Sequence, residues 1–409
     1  MSEWKKVKLK DCCHSISDGD HLPPPKSNSG VPFVTIANID ATNHIDFGNT
    51  MFVPLEYYNS LNDIRKAKCN DILYSVVGSF GKPVLIKENI PFAFQRHIAI
   101  LRPNNEIADS RFLYYVMLTR DFFMQADTVA IGAAQRTISL TALRNMEVKL
   151  PSMETQYRIA SILSRYDSLI ENYQKQIKLL EEAAQRLYKE WFVDLHFPGH
   201  ENAKIVDGVP EGGEKKTIDD VTCKVTTGLN PRKNFVLGKG SNYYVTIKNM
   251  ADNTLFLDDR CDRVDNEALE KINKRSDLKI GDILFSGIGT IGRVALVDIP
   301  TNNWNVSESV FTLRVNDIVT KEFLYLMLLS PDMQNYCQSN AHGAAQKGIR
   351  MADLKAYSFN LPPFGVIQKF TNLVTPTIKK VSSIRNQIRL LTEARDRLLP
   401  RLMNGEIAV

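Results

Sequence analysis

Residues 31–151 of this chain return, altered but recognisable, as residues 242–362, mostly at a constant offset of 211, and a heptad-patterned stretch follows each copy. A repeat of that size is a duplicated domain rather than a solenoid unit of roughly 20 to 50 residues. Phe33–Ile39 aligns with Tyr244–Met250, and Asp71-Ile72-Leu73 with Asp282-Ile283-Leu284. Gly78 and Gly81 meet Gly289 and Gly292, and Phe112-Leu113-Tyr114 meets Phe323-Leu324-Tyr325. Leu101 matches Leu313 after a one-residue slip, and the early part runs at an offset near 209, with Gly19 opposite Gly228. The 409 residues suit two such domains with helices between them.

Within each copy, short β-branched and aromatic runs (Phe33–Ile36, Ile72–Val77, Val84–Ile86, Ile98–Leu101) lie between Gly, Asn and Pro and read as strands. Arg111–Gln125 and its counterpart Glu322–Gln338 have helical spacing. The fold class predicted is α+β, with a curved sheet and a packed helix in each module. After the first module, Ile159, Leu163, Tyr166, Ile170, Tyr173, Ile177, Leu180, Ala184, Leu187 and Trp191 step by 4 and 3, a coiled-coil seam. The second copy keeps the register from Ile367 to Leu402, with only Thr377 and Arg395 polar, and Pro376 should kink that helix or mark its start. About 40 residues at 1.5 Å each make a rod near 60 Å. Connectivity predicts an antiparallel pair of long coiled-coil helices with one module at each end, a pseudo-two-fold arrangement. Packing of each helix on its own module is the alternative.

Composition excludes little. A net charge of +5 permits a nucleic acid partner without demanding one. The six cysteines form no CxxC pair and do not repeat at equivalent offsets, so neither a disulfide framework nor a zinc site is indicated and a reduced, cytoplasmic setting is expected. The N-terminus lacks a signal-peptide core, and the longest apolar runs are too short to span a bilayer. Gly287-x-Gly289-x-x-Gly292 matches a dinucleotide fingerprint, but Val76 replaces its first glycine in the other copy and a strand follows, so a turn between strands is the better reading. His196 and His200 are separated by Pro198 and Gly199, which speaks against a metal helix. Leu361-Pro362-Pro363-Phe364 lacks the polar first residue of a methyltransferase motif, and there is no phosphate loop, nucleophile elbow or zinc helix. No catalytic residues and no metal ligands are assigned.

What remains are matched polar loops. Gly132-Ala133-Ala134-Gln135-Arg136-Thr137 and Gly343-Ala344-Ala345-Gln346-Lys347-Gly348 place small residues before a Gln and a cation. Gln suits adenine, and Arg or Lys suits guanine or phosphate, although such a loop could also merely cap a helix. Asp18-Gly19-Asp20-His21 with Lys26, and Thr226-Thr227-Gly228 with Arg232 and Lys233, form a second pair, for which solvated loops are the bland alternative. At the aligned turns Gln95-Arg96-His97 and Ser307-Glu308-Ser309, an Arg suited to guanine stands against a Glu suited to the amino group of cytosine. Two related heads would then read different sequences. The DNA-contacting candidates are Lys26, Arg96, Gln135, Arg136, Thr137, Arg232, Lys233, Glu308, Gln346 and Lys347.

The two modules, the two helices, the D-I-L-x-S and G-A-A-Q segments, the L-P-x-x-x-x-Q start of the first helix at Leu150–Gln156 and the W-F-V-D-L-H-F-P close at Trp191–Pro198 form a joint pattern. In it the chain resembles specificity subunits of type I restriction-modification enzymes over essentially its full length. The second helix departs slightly, since L-P-P-F-G-V-I-Q carries one extra residue before Gln368. The resemblance implies target recognition domains over residues 1–150 and 198–361, a central spacer helix over 151–197 and a C-terminal spacer helix over 362–409. It further implies a non-catalytic subunit that binds a bipartite site in double-stranded DNA, one half per domain, with the helices setting the gap. Two methyltransferase subunits and the restriction translocase subunits would be its partners. S-adenosylmethionine, ATP and Mg2+ would belong to those partners, none to this chain. The rivals are a two-headed scaffold for protein partners and a methyltransferase or nuclease fused to its own reader.

Overall fold

A computed structural model describes the chain except residues 1–3, 22, 41, 134, 207–208, 252 and 344–346, together with the side chains of 233 and 251. It folds as two compact units, residues 1–171 with 389–409, and residues 172–388. Each long helix therefore contributes to both units.

In the first unit an antiparallel sheet runs in the order Cys13–Asp18, Ile98–Pro103, Ile72–Ser75, Pro83–Leu85. A second sheet orders Met51–Val53, Val31–Val34 and Ala93–Phe94, the last pair parallel. Lys5–Lys8 pairs with Glu147–Leu150 where the domain meets its helix. The second unit repeats this order with Thr222–Thr227, Val310–Val315, Ile283–Ser286 and Val294–Leu296, then Asp262–Val264, Asn242–Val245 and Trp304–Val306. Ile72 faces Leu101 as Ile283 faces Leu313, so the one-residue slip read from the sequence is the true register.

The repeated motifs turn out to be fasteners. Asp71, 2% exposed, accepts from Arg102 Nη2 at 2.8 Å and from Lys68 N at 2.8 Å. Asp282, 1% exposed, accepts from Arg314 Nη2 at 2.8 Å and Lys279 N at 2.8 Å in the same way. A carboxylate so deeply buried is tolerable only because it is paired and hydrogen-bonded. The serine that ends D-I-L-x-S closes the glycine loop behind it: Ser75 Oγ donates to Ser79 O and accepts from Lys82 N, and Ser286 Oγ does the same with Thr290 O and Arg293 N. Thr35 with Asn38 and Thr246 with Asn249 form identical capping boxes on short 3-10 turns.

Three expectations need correction. The helix read over Arg111–Gln125 is two helices, Ser110–Met117 and Arg120–Val129, because Thr119 caps a fresh start by accepting from Phe122 N. In the counterpart, Ser330 caps and Pro331, which has no N–H to offer the preceding turn, begins the second helix. Pro376 does not mark the start of the second long helix, which runs Phe364–Met403. Its exposed face leaves the carbonyl that loses a donor open to water. Gln156, 1% exposed, ties the first long helix (Met153–Phe192) to its domain by accepting from Asp109 N and donating to Ile107 O and Pro151 O. Gln368 does not repeat this: it is exposed, and buried Ile367 stands at the equivalent depth.

The heptad seam is half-buried or buried along both helices. In the first unit Ile159 and Leu163 share one core with Leu402, Met403, Ile72, Leu101 and Phe112. In the second, Tyr188 and Trp191 meet Phe370, and Phe192 packs edge-on against Phe323 at 4.9 Å. Each seam thus serves helix pairing and domain docking together. Within each unit the helical segments run antiparallel, with Asp167 against Arg395 at 2.8 Å in one and Glu181 against Arg385 at 2.5 Å in the other. Arg395, an irregularity in the sequence pattern, is that partner.

The first domain also grips its helix electrostatically. Glu171 takes His44 Nε2 at 3.0 Å and is ion-paired with Lys87. The hydrogen bond from His44 leads the causes that hold Glu171 down to about 2, and Glu171 in turn raises His44. At the repeat-equivalent positions Asp298 accepts from the Ser382 hydroxyl, so the contact is kept and the ion pair is not. The depressed carboxyl stabilises the first unit above its ordinary 4.5, and that gain is lost as pH falls towards about 2. The raised imidazole stabilises it below its ordinary 6.5, and that gain is lost as pH rises through the folded value. The thermal midpoint of this unit should therefore be highest between these limits, and Glu171→Gln should flatten both limbs in a melt series from about pH 3 to 9; unchanged limbs would assign the pH dependence elsewhere.

Candidate nucleic-acid interface

In each domain four loops from distant parts of the sequence are joined by backbone hydrogen bonds at one end of the sheet. In the first, the turn Gln95–His97 links two strands; Gln95 N donates to Val34 O, and His97 O accepts from Val76 N at 2.9 Å. Val76 O accepts from Ile138 N at 2.8 Å and Gly78 N donates to Arg136 O at 2.9 Å, which ties in the hairpin that Ile131 and Thr137 close reciprocally. The Asp18–His21 loop enters through Gly19 N to Ile98 O and Asp20 N to Phe94 O. The second domain repeats the pattern with Ser307 N to Val245 O, Gly287 N to Ser309 O, Ile349 N to Gly287 O and Gly289 N to Lys347 O, while its first loop enters differently, through Gly228 N to Ser307 O. His342 and Gly348 close its hairpin, each N donating to the other's O at 2.8 Å.

Glycine is required where the first loop meets the turn. A Cβ on Gly19 would stand 2.1 Å from Phe94 O, and one on Gly228 would stand 1.5 Å from Val306 O. Gly287 answers a different need: a Cβ there would strike the Phe311 ring at 2.4 Å, whereas the first domain, with Val76 at this position, has the smaller Ala99 at the place of Phe311. The glycine loop joins antiparallel strands Ile283–Ser286 and Val294–Leu296, which is the turn reading and not a phosphate-binding helix start.

On this common backbone the side chains differ. Arg96 is exposed at the tip of its turn. Glu308, at the matching place, is half-buried; Asn230 Nδ2 donates to its Oε1 at 2.7 Å and Tyr244 Oη to its Oε2 at 3.2 Å. Burial first, then Glu308, pushes the Tyr244 hydroxyl well above its usual range, so it remains a donor. Asn230 Oδ1 is buried without a partner among the described residues, an omission worth about 1–3 kcal/mol. In the first domain Asp20 instead accepts from Tyr57 Oη at 2.7 Å and Arg65 Nη1 at 3.1 Å, while His21 Nε2 meets Asp18 at 2.9 Å.

Other candidates are placed as follows. Gln135 and Lys347 are exposed on the hairpins, and Thr137 is half-buried at a hairpin base. Arg136 is ion-paired with Asp127, donates to Asp127 O, and lies 5.3 Å from the Phe80 ring centroid, so much of its guanidinium is already engaged within the domain. Lys26 and Arg232 are exposed, the latter in the short helix Pro231–Asn234, and neither belongs to the joined loops. Gln346 and the side chain of Lys233 lie outside the described residues. The sequence reading missed Tyr57, Arg65, Asn230 and Tyr244 as parts of the site. The exchange of Phe33 for Tyr244 was the available signal, because a buried tyrosine hydroxyl needs a partner.

His196 and His200 have ring centroids 5.2 Å apart, and their Nδ1 atoms meet Glu190 and Phe197 O. Among the described residues no three His, Cys, Asp or Glu side chains are grouped to hold a metal, and no helix is long and apolar enough to cross a membrane.

Two α+β domains on one repeat, each presenting the same joined loops, are the mark of a known family. The type I restriction modification DNA specificity domain matches residues 1–182 and again 210–388, and the chain belongs to that family. It is similar to the MjaIX specificity subunit of Methanocaldococcus jannaschii, 28% identical over 305 residues that cover 73% of this chain and 69% of that one. The HindI specificity subunit of Haemophilus influenzae is 25% identical over 480 aligned positions covering 100% of both chains. A type I restriction-modification S subunit from M. genitalium shares the fold, with a TM-score of 0.61 at 17% identity over 98% of this chain and 96% of that one.

Since the close approach at Gly228 leaves no room for a methyl group, Gly228→Ala should lower the stability of the second unit by roughly 3 kcal/mol, the upper end for an inserted carbon. Gly365→Ala, where an added Cβ meets nothing within 4 Å, is the control and should stay near wild type in denaturant unfolding. Equal behaviour of the two variants would contradict the close approach.

Proposed function

We propose that this chain is the non-catalytic DNA-reading subunit of a type I restriction-modification complex, each domain recognising one half of a bipartite duplex site. The observation that carries the reading is the four-loop assembly itself, built twice with three of its loops on the same hydrogen bonds and carrying different side chains, exposed Arg96 in one and Glu308 in the other. A rigid backbone with variable tips is what base readout in a groove needs. The two helices common to both units then fix the gap between half-sites and offer their outer faces to two methyltransferase subunits, with restriction translocase subunits joining those. S-adenosylmethionine, ATP and Mg2+ belong to these partners in this reading, and the chain alone transfers no methyl group.

Arg96→Ala should weaken recognition of one half-site by about 1–3 kcal/mol, and Lys347→Ala should affect only the other. Binding to duplexes scrambled in either half, measured across a salt series, is the check. Loss at both halves from one substitution would refute independent reading, and affinity that does not fall with salt would favour a scaffold for protein partners instead.

A further inference from the structure

The network around Glu308 is unusual for a surface that meets DNA, because a carboxylate there repels phosphate. It gains a place only by accepting hydrogen bonds. The protein supplies two donors, Asn230 Nδ2 at 2.7 Å and Tyr244 Oη at 3.2 Å. The tyrosine has one hydrogen and also lies 2.6 Å from Leu229 O, so Oε2 receives only a share of it. An ionised carboxylate accepts at about four lone-pair sites. Glu308 is thus held in place with acceptor capacity left over.

The amide is held in one orientation as well. Turning it over would bring Oδ1 against the carboxylate, and keeping it leaves Oδ1 buried without a donor among the described residues. Nor does the fold require this arrangement. The first domain has Phe33 at the place of Tyr244, His21 at the place of Asn230 and Arg96 at the place of Glu308, with the turn, the glycine loop and the hairpin on the same backbone bonds. A network that costs a buried orphan and is dispensable for the fold has its use in what it presents outward.

We infer that Asn230 and Tyr244 are positioning residues that fix Glu308 as an acceptor for an exocyclic amino group in the major groove, so that the second domain demands cytosine or adenine at one position and rejects guanine and thymine. Those two bases present an amino donor, N4 or N6, where the other two present a keto oxygen. This rests on the bipartite DNA reading above and adds the chemical class of one base.

The test uses the full chain, purified with its modification subunits, to select from a randomised duplex library. The wild type should return a split motif with one amino-bearing base fixed in the half that Lys347→Ala weakens. Replacing that base by its analogue lacking the amino group, 2-pyrimidinone for cytosine or unsubstituted purine for adenine, should cost about tenfold in affinity, the scale of one good base contact. Tyr244→Phe and Asn230→Ala should cut that discrimination to about threefold and leave the other half-motif unchanged. Glu308→Gln, which presents a donor beside its acceptor, should shift the preference towards guanine or thymine. Variants that change only the unfolding midpoint and keep the motif would make the network structural and overturn the inference. Full tolerance of amino deletion by the unmodified chain at every position of that half would do so without any variant. No motif at all from the wild type would remove the DNA reading itself, and this inference with it.

Discussion

Everything that distinguishes the two domains of this chain hangs on a few backbone hydrogen bonds at the end of each sheet. Val76 N to His97 O in one domain, and Gly287 N to Ser309 O in the other, lock the variable turn to the glycine loop. The glycine loop in turn holds the hairpin, and Gly19 or Gly228 lets the first loop close over the turn at a distance no side chain permits. Because these bonds use main-chain atoms, they survive almost any change of side chain. The same chain can therefore carry Arg96 on one copy and Glu308 on the other without altering the frame.

Beneath that frame lies a pair of buried ion pairs. Asp71 with Arg102 and Asp282 with Arg314 tie strands of each sheet, and in both cases the aspartate also accepts from a lysine amide three residues earlier. Breaking such a pair by removing one partner costs about 3–5 kcal/mol, whereas loop substitutions at exposed tips stay within about 0.5 kcal/mol. Conservation of form with freedom of content follows from that separation of energies.

Much of this was legible in the sequence because duplication prints the same spacing twice. The offset of 211, the slip at Leu313 and the heptad seams translate directly into strand register and buried helix faces. Other features were not legible for physical reasons. The break at Thr119 depends on a hydroxyl choosing to cap, which helical periodicity cannot reveal. Gln368 looked like the partner of Gln156 by motif, yet burial follows the constant offset and selects Ile367. Arg136 reads as a free cation in sequence, and only the fold brings Asp127 and Phe80 to it. The roles of Asn230 and Tyr244 arise from residues 78 and 64 positions away from Glu308, a juxtaposition made by the sheet.

The central claim is that the frame is shared and the tips decide what each domain reads. The most direct measurement builds a chain in which residues 228–230, 307–309 and 342–348 give way to residues 19–21, 95–97 and 131–137, so that the second domain carries the first domain's tips on its own frame, and maps the sequence it selects in complex with its modification subunits. The account predicts that both halves of the selected motif become the same sequence, that of the first domain. A motif that keeps its original second half, with the altered chain folded and bound, would contradict it.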